Sequence, residues 1–130
     1  MTDNAVKTGA CLCGAVKYEL RNAGSEAVAC HCGQCRRQSG HYTVSVIVTN
    51  GDITVTEDRG LAWYTSSDQA QRGFCRDCGS LLFWERTTVD DFAVSLGSLD
   101  GPPGLTLTSH IFVDDKGEKI SDELSVYEGT

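Results

Sequence analysis

The chain has 130 residues, 40% of them hydrophobic and 22% charged, a composition typical of one folded domain and not of a disordered chain. Its formal net charge of −7 opposes binding to phosphate backbones, so we expect no nucleic-acid partner. The first residues lack the apolar segment of a signal peptide, and no apolar run approaches the roughly 20 residues of a membrane span. We therefore expect no membrane partner and a cytoplasmic location, where the seven cysteines are reduced and available as metal ligands.

Strand patterns follow one another along the chain. Val16, Tyr18 and Leu20 alternate with charged residues, which predicts a strand with one buried face. The β-branched run 44–48, the turn residues 50–52 and the run 53–56 together predict a hairpin. Further strands are predicted over 62–65, 72–75, 80–84, 92–96 and 110–113, with a hairpin around the cysteines at 75 and 78.

Helical patterns are scarce. Only residues 33–38 suggest a helix, of one or two turns, and no longer window carries a helical stripe. The chain is therefore predicted to be mainly β with little helix, in a single domain spanning 1–130. Trp63, Tyr64, Phe74 and Trp84 are core candidates, and Ile120, Leu124 and Tyr127 are candidate anchors in the polar C-terminal stretch.

The cysteines form three short motifs, Cys11-x-Cys13, Cys30-x-Cys32-x2-Cys35 and Cys75-x2-Cys78. A structural zinc ion takes four ligands at tetrahedral corners, and a Cys-x2-Cys turn brings two thiolates to one ion. The pair at 75 and 78 therefore needs two further ligands, which the pair at 11 and 13 offers, although spacing alone allows three combinations of the motifs. In this combination three cysteines remain, the ligand count of a zinc site whose fourth position is open to water or substrate.

Other interpretations of the cysteines stay open at this point. The seven thiols could form disulfides, or one zinc ion could be accompanied by three inert buried cysteines. Alternatively, the second zinc ion is also structural, and His31, His41 or a carboxylate completes its ligands.

Three segments resemble the glutathione-dependent formaldehyde-activating enzyme family, also known as the centromere protein V/Gfa domain. They are residues 9–18 (GACLCGAVKY), 30–40 (CHCGQCRRQSG) and 74–82 (FCRDCGSLL). The segments occur in family order within about residues 8–113, and all seven cysteines fall on family ligand positions.

The resemblance implies a β-tent fold of stacked antiparallel sheets with two zinc ions per chain. It assigns Cys11, Cys13, Cys75 and Cys78 to a structural site. It assigns Cys30, Cys32 and Cys35 to a catalytic site with an exchangeable metal. The implied activity is that of a carbon–sulfur lyase, which joins glutathione and formaldehyde reversibly into S-hydroxymethylglutathione.

On this interpretation the partner is a small thiol such as a glutathione adduct. Arg36 and Arg37 are predicted to bind the glutathione carboxylates, with Arg72 as a further candidate. His31 or His41 is a candidate for moving the hydroxyl proton, although His31 facing solvent is the competing interpretation.

Two other functions are weighed against the lyase. One is a non-catalytic, zinc-stabilised binding module, which a fourth protein ligand such as His41 at the second zinc ion would favour. The other is a redox-sensing or metal-sensing thiol site formed by the three central cysteines. The oligomeric state is open, with a homodimer as one alternative.

Overall fold

A computed structural model describes residues 6–101 and 104–115, which form ten strands, one α-helix and three short 3-10 turns. The helix is α1 (Gly33–Ser39). The strands are β1 (Lys7–Ala10), β2 (Lys17–Leu20), β3 (Glu26–Cys30), β4 (Thr43–Val48), β5 (Ile53–Glu57), β6 (Leu61–Ser67), β7 (Ala70–Cys75), β8 (Leu81–Arg86), β9 (Phe92–Ser95) and β10 (Thr106–Ile111).

The strands form two sheets. The smaller sheet has the order β1-β2-β5, and the larger has the order β10-β3-β4-β9-β8-β7-β6. Every pairing between these strands is antiparallel except that of β10 with β3, which is parallel. The prediction of a mainly β chain built from stacked antiparallel sheets is confirmed, and one parallel edge pair is added to it.

The predicted hairpin between residues 44–48 and 53–56 is wrong. β4 pairs with β3 and β9, whereas β5 pairs with β2 in the smaller sheet. A 3-10 turn over Asn50–Asp52 separates the two strands and takes the chain from one sheet to the other. With β5 beside β2, Ile53 and Val55 pack against the buried core. The turn residues at 50–52 do not show which strand β5 pairs with, because that depends on which sheet buries these side chains.

The core lies between the two sheets and is built from alternate residues of the strands. Tyr18 and Leu20 of β2 are buried against it, as are Val46 of β4 and Val94 of β9. Because successive strand residues point to opposite faces, the residues between them on β4 and β9 face the other side of the larger sheet. That second face carries the candidate site.

Two of the predicted core aromatics are exposed. Trp63 is 37% exposed and Tyr64 is 62% exposed, because β6 is an edge strand of the larger sheet. Phe74 and Trp84 lie on inner strands and are half-buried. The predicted anchors Ile120, Leu124 and Tyr127 lie outside the described residues.

The predicted helix is confirmed as α1. It begins after Cys32, whose sulfur accepts a hydrogen bond from the Cys35 amide, and it ends at Gly40 with a left-handed φ of 89°. The predicted hairpin around the cysteines at 75 and 78 is also confirmed, since β7 pairs with β8. Among the described residues, no helix has the length and apolar character needed to cross a bilayer.

Candidate metal centres and active site

The first thiol cluster joins two turns that are far apart in the sequence. Its ligand atoms lie within 4.8 Å of one another and belong to Cys11, Cys13, Cys75 and Cys78. Cys11 and Cys13 lie between β1 and β2, and Cys75 and Cys78 lie at the turn between β7 and β8. This is the four-thiol combination that the family resemblance implied, and we call it the four-thiol cluster.

The turns hold the sulfurs by local backbone geometry. Gly14 and Gly79 follow the last cysteine of each pair, and both have left-handed φ values, 83° and 78°. The Val16 amide donates to the Cys11 sulfur at 3.3 Å. Ser80 links the two turns, since its hydroxyl lies 3.2 Å from the Cys78 sulfur and accepts from the Leu12 amide at 3.0 Å.

The distances in the four-thiol cluster fit a zinc ion. The sulfurs of Cys11 and Cys13 are 3.7 Å apart, as are those of Cys13 and Cys75. A tetrahedral ion with Zn–S bonds of about 2.3 Å places its sulfurs about 3.8 Å apart. The disulfide alternative does not hold, because all seven cysteines are free and these separations far exceed an S–S bond of about 2.05 Å.

The charges in this cluster also call for a cation. The Ser80 hydroxyl lowers the pKa of Cys78 to about 5, so this residue carries a thiolate at neutral pH. A backbone hydrogen bond from Ala15 lowers the pKa of Cys13, but desolvation and the neighbouring thiols raise it to about 12. Four thiolates therefore cannot coexist at these distances without a positive ion, which suits a structural zinc site.

The second thiol cluster is local in the sequence. Cys30 ends β3, Cys32 is the N-cap of α1, and Cys35 is buried in the first turn of that helix. Their ligand atoms lie within 4.8 Å of one another. We call this group the three-thiol cluster.

No fourth protein ligand joins the three-thiol cluster among residues 6–101 and 104–114, where no histidine or carboxylate lies close enough to the three sulfurs. The alternative of a second structural zinc closed by His31, His41 or a carboxylate therefore lacks support in the described part of the chain. Three sulfurs with no further protein donor fit a metal that keeps one position for an outside ligand.

Arg72 of β7 lies against this cluster. Its side chain is 8% exposed, and Nη1 donates to the Cys35 sulfur at 3.5 Å. The same guanidinium donates to the side-chain oxygens of Gln38 at 3.0 Å and Gln34 at 3.1 Å. These amides are neutral, so among these three contacts the Cys35 sulfur is the one that can balance the buried positive charge of Arg72, as a thiolate.

Arg72 also changes the acidity of its neighbour. Burial raises the pKa of the Cys35 thiol, but hydrogen bonds with Thr43, Arg72 and the other two cysteines of the cluster together outweigh burial and bring the pKa below its ordinary value. Burial raises the pKa of Cys30 to about 12. Cys35 therefore carries negative charge more readily than Cys30, and a metal ion would favour the thiolate form at both positions.

The histidine candidates occupy different environments. His31 is fully buried, with Nε2 lying 2.8 Å from Nδ1 of His110 on β10, so the interpretation that it faces solvent is wrong. The ring of Tyr42 lies 4.7 Å from that of His31 and 4.3 Å from that of His41. His31 thus links the three-thiol loop to β10, while Tyr42 lies between the two histidines.

A cavity of about 810 Å³ opens beside the three-thiol cluster on the second face of the larger sheet. All three cysteines of that cluster line the cavity, whereas none of the four-thiol cluster does. Arg72 contributes to its wall, and Ser45 and Ile47 of β4 contribute to its floor. The volume lies within the range of small-molecule sites.

The two predicted substrate arginines lie elsewhere. Arg36 and Arg37 are exposed on α1, and neither is among the described residues that line the cavity. Arg72, which the sequence offered only as a further candidate, is the arginine in contact with the sulfurs. Gln34 and Gln38 lie four residues apart on one side of α1, and this spacing could have indicated that they bind a common polar group. The spacing does not identify Arg72, or the strand that carries it, as that group.

Comparison with known proteins then decides the family. A family model described as glutathione-dependent formaldehyde-activating enzyme matches residues 6–115. The chain belongs to this family. The glutathione-dependent formaldehyde-activating enzyme match thus covers all seven cysteines, in both clusters.

Two relatives extend this comparison. An uncharacterized lyase of Schizosaccharomyces pombe is 27% identical over 109 residues, which are 83% of this chain and 79% of that protein. A crystal structure of a Rhodobacter sphaeroides protein aligns with a TM-score of 0.67 and 27% identity, covering 79% of this chain and 98% of that one. The fold described here is therefore shared with an experimentally determined structure.

Proposed function

We propose that this protein is a zinc-dependent carbon–sulfur lyase that forms and cleaves the adduct of an aldehyde with a small thiol, with S-hydroxymethylglutathione as the expected adduct. The family match and the lyase relative support the reaction class. The observation that carries the proposal is the contrast between the clusters. The three-thiol cluster lines a cavity of about 810 Å³, and the four-thiol cluster does not.

The two clusters support different roles for the two zinc ions. Zinc on Cys11, Cys13, Cys75 and Cys78 would have four protein ligands and a structural role. Zinc on Cys30, Cys32 and Cys35 would supply one further coordination position, at which a substrate sulfur is favoured as thiolate. The second ion is the one that we expect to exchange, because the described residues provide it with three ligands.

The chemistry requires a sulfur anion and a place for developing negative charge on oxygen. In the forward reaction the thiolate sulfur forms a bond to the carbonyl carbon, and the π electrons of the C=O bond move to the oxygen, which then takes up a proton. In the reverse reaction the oxygen loses that proton, and the C–S bond breaks to release thiolate and aldehyde. Arg72 supplies positive charge 3.5 Å from the Cys35 sulfur, which stabilises anions formed beside it.

The polar residues near the cluster serve binding and proton transfer in this proposal. Tyr42 and Thr43 line the cavity next to the three-thiol cluster and offer hydroxyl groups to an adduct oxygen. His41, adjacent to Tyr42, is the candidate for exchanging the proton with solvent, while the buried His31 holds the loop through His110. Arg36 and Arg37, which are exposed on α1 outside the cavity, are proposed as contacts for a second carboxylate of the substrate, beyond the part of it that the cavity holds.

The proposal is tested by measuring adduct exchange directly. The purified protein is added to glutathione and ¹³C-formaldehyde, and exchange spectroscopy by NMR reports the rate at which the free and adduct signals interconvert. We expect the protein to accelerate exchange above the spontaneous rate, and we expect mild chelation to lower the zinc content from two ions to one and abolish the acceleration. Cys32→Ser is the matched control, since it removes one thiol of the three-thiol cluster and leaves the other cluster unchanged.

Two results would reject the proposal. One is the absence of acceleration by protein that carries both zinc ions. The other is equal acceleration by Cys32→Ser, which would show that the three-thiol cluster is not where the reaction occurs.

A further inference from the structure

The end of the cavity formed by β8 and the start of β9 carries a second charged group. Trp84, Arg86 and Asp91 all line the cavity there. The guanidinium carbon of Arg86 lies 5.4 Å from the centre of the Trp84 ring, and Nη2 lies 3.4 Å from Oδ2 of Asp91. Among the described lining residues, Arg72, Arg86 and Asp91 are the ones with charged side chains other than the thiols.

Arg86 and Arg72 project from the same face of the sheet. The register pairs Arg72 with Trp84 and Ala70 with Arg86, so Arg72 and Arg86 are two residues out of register on adjacent strands. Such diagonal neighbours have Cα atoms about 7–8 Å apart. Arg72 contacts the Cys35 sulfur, and the same cavity is lined by Arg86, whose Cα lies about one diagonal step from that of Arg72.

A short peptide thiol is long enough to span a spacing of this order inside the cavity. An extended residue spans about 3.3–3.6 Å, so a carboxylate one or two residues away from a cysteine sulfur reaches about this distance. On the other side of β8 from Arg72, the cavity floor on β9 and β4 includes small or uncharged residues such as Ser45, Ala93 and Ser95, which leave room for a peptide backbone.

Arg86 is available to such a ligand. Its side chain is 44% exposed, and its contact with Asp91 is a long one that leaves most of its five N–H donors unused. The Trp84 ring packs against one face of the Arg86 guanidinium, which orients the group without blocking its N–H donors. A planar fork presented in this way suits bidentate binding of a carboxylate.

We infer that Arg86, held by Trp84 and Asp91, is the carboxylate-binding residue for the non-reacting arm of a peptide thiol whose sulfur lies at the three-thiol cluster. The inference rests on the proposed lyase function and adds to it the residue that binds a carboxylate of the peptide thiol. It places this contact on the sheet inside the cavity, whereas Arg36 and Arg37 are exposed on α1 outside it.

Calorimetric titration of the zinc-loaded protein tests the inference. Glutathione is the probe, and cysteamine, which has a thiol but no carboxylate, is the control ligand. We expect Arg86→Ala to weaken glutathione binding by about tenfold, the loss of a charged hydrogen-bonded contact at a partly exposed position. Cysteamine binding should stay unchanged, and Arg86→Lys should give an intermediate value because it keeps the charge and loses the fork.

Competing assignments give different results. A glutathione affinity within twofold of wild type in Arg86→Ala overturns the inference, and so does an equal weakening for glutathione and cysteamine. A full loss in the double variant Arg36→Ala and Arg37→Ala, with none in Arg86→Ala, would place the carboxylate at α1 outside the cavity and would also overturn it.

The same titrations separate this inference from the proposed function. If wild-type protein binds glutathione but does not accelerate aldehyde exchange, the proposed reaction is wrong. The Arg86 inference is then judged only from the affinities of wild type and the Arg86 variants for glutathione and cysteamine. If wild-type protein loaded with both zinc ions does not bind glutathione, the Arg86 inference is wrong.

Discussion

Replacing one cysteine in each cluster should affect stability to very different extents. Cys75 is fully buried at the end of β7, in the core and in the four-thiol cluster. Cys32 is half-buried at the start of α1 and belongs to the three-thiol cluster. We therefore compare Cys75→Ser with Cys32→Ser, which is the same chemical change at two sites.

The expected magnitudes follow from the lengths of chain that the two clusters close. Cys13 and Cys75 are 62 positions apart, whereas the three-thiol cluster lies within residues 30–35. If each cluster is treated as a cross-link, it reduces the conformational entropy of the unfolded chain. This raises the free energy of the unfolded chain by about 4 kcal/mol for the four-thiol cluster and by about 2 kcal/mol for the three-thiol cluster. The free energy of metal binding adds to the first figure, since a structural zinc ion contributes roughly 10–16 kcal/mol to folding, against a total stability of about 5–15 kcal/mol.

Serine at position 32 also preserves a feature that serine at position 75 destroys. The Cys32 sulfur accepts the Cys35 amide as the helix N-cap, and a serine hydroxyl is a favourable replacement in that role. Serine at 75 would instead place a hydroxyl in a buried, apolar environment and leave three thiols without their fourth partner.

Circular dichroism during heating, together with zinc analysis, measures the contrast. We expect Cys75→Ser to show no cooperative unfolding transition and to lose its structural zinc. Cys32→Ser should keep a cooperative transition, with Tm lowered by no more than about 7 °C, the shift that about 2 kcal/mol produces in a chain of this size. A similar Tm for the two variants would refute the assignment of structural and exchangeable roles.

Two further predictions concern buried polar groups. Arg72→Gln removes the cation beside the Cys35 sulfur, so we expect the three-thiol cluster to bind Co²⁺ about 10–100-fold more weakly in competition titrations, and unchanged affinity there would contradict the role of Arg72. Burial raises the pKa of Tyr18 from 10.0 to about 12, so the unfolded chain ionises first and stability falls by up to roughly 2–3 kcal/mol as the pH rises from 10 to 12. Tyr18→Phe should lack this part of the alkaline loss in urea unfolding at pH 8 and pH 11, and identical losses in both proteins would show that Tyr18 ionisation is not the cause.

Much of the metal chemistry could be predicted from short-range sequence features. A Cys-x2-Cys turn followed by glycine determines how two sulfurs and the nearby amides are arranged, and Gly79 has the left-handed φ that this requires. The helix at 33–38 was predictable for the same reason, since its cap and its first turn lie within the cysteine motif itself. Spacing alone left three combinations of the cysteine pairs open, and the family resemblance selected the one that the structure contains.

Contacts between strands that are distant in the chain could not be predicted from local sequence patterns. The run 53–56 has a strand pattern, but its pairing with β2 instead of β4 depends on which sheet buries Ile53 and Val55. Trp63 is a large apolar residue of the kind usually found in a core, yet it is exposed because β6 lies at a sheet edge. Period-two patterns give a strand two faces, but they do not say which neighbours cover each face.

The arginines considered for substrate binding show the same contrast between local sequence and tertiary structure. The spacing of Cys30, Cys32 and Cys35 was enough to predict that three thiols lie together in one short loop, because residues 30–35 can approach one another through local turns. The sequence pointed to Arg36 and Arg37 because they are adjacent to those thiols in the chain, whereas Arg72 reaches the Cys35 sulfur from β7 across the fold. Only the packing of α1 against the sheet brings that charge to the sulfur, since side chains 37 positions apart meet through tertiary structure and not through local geometry.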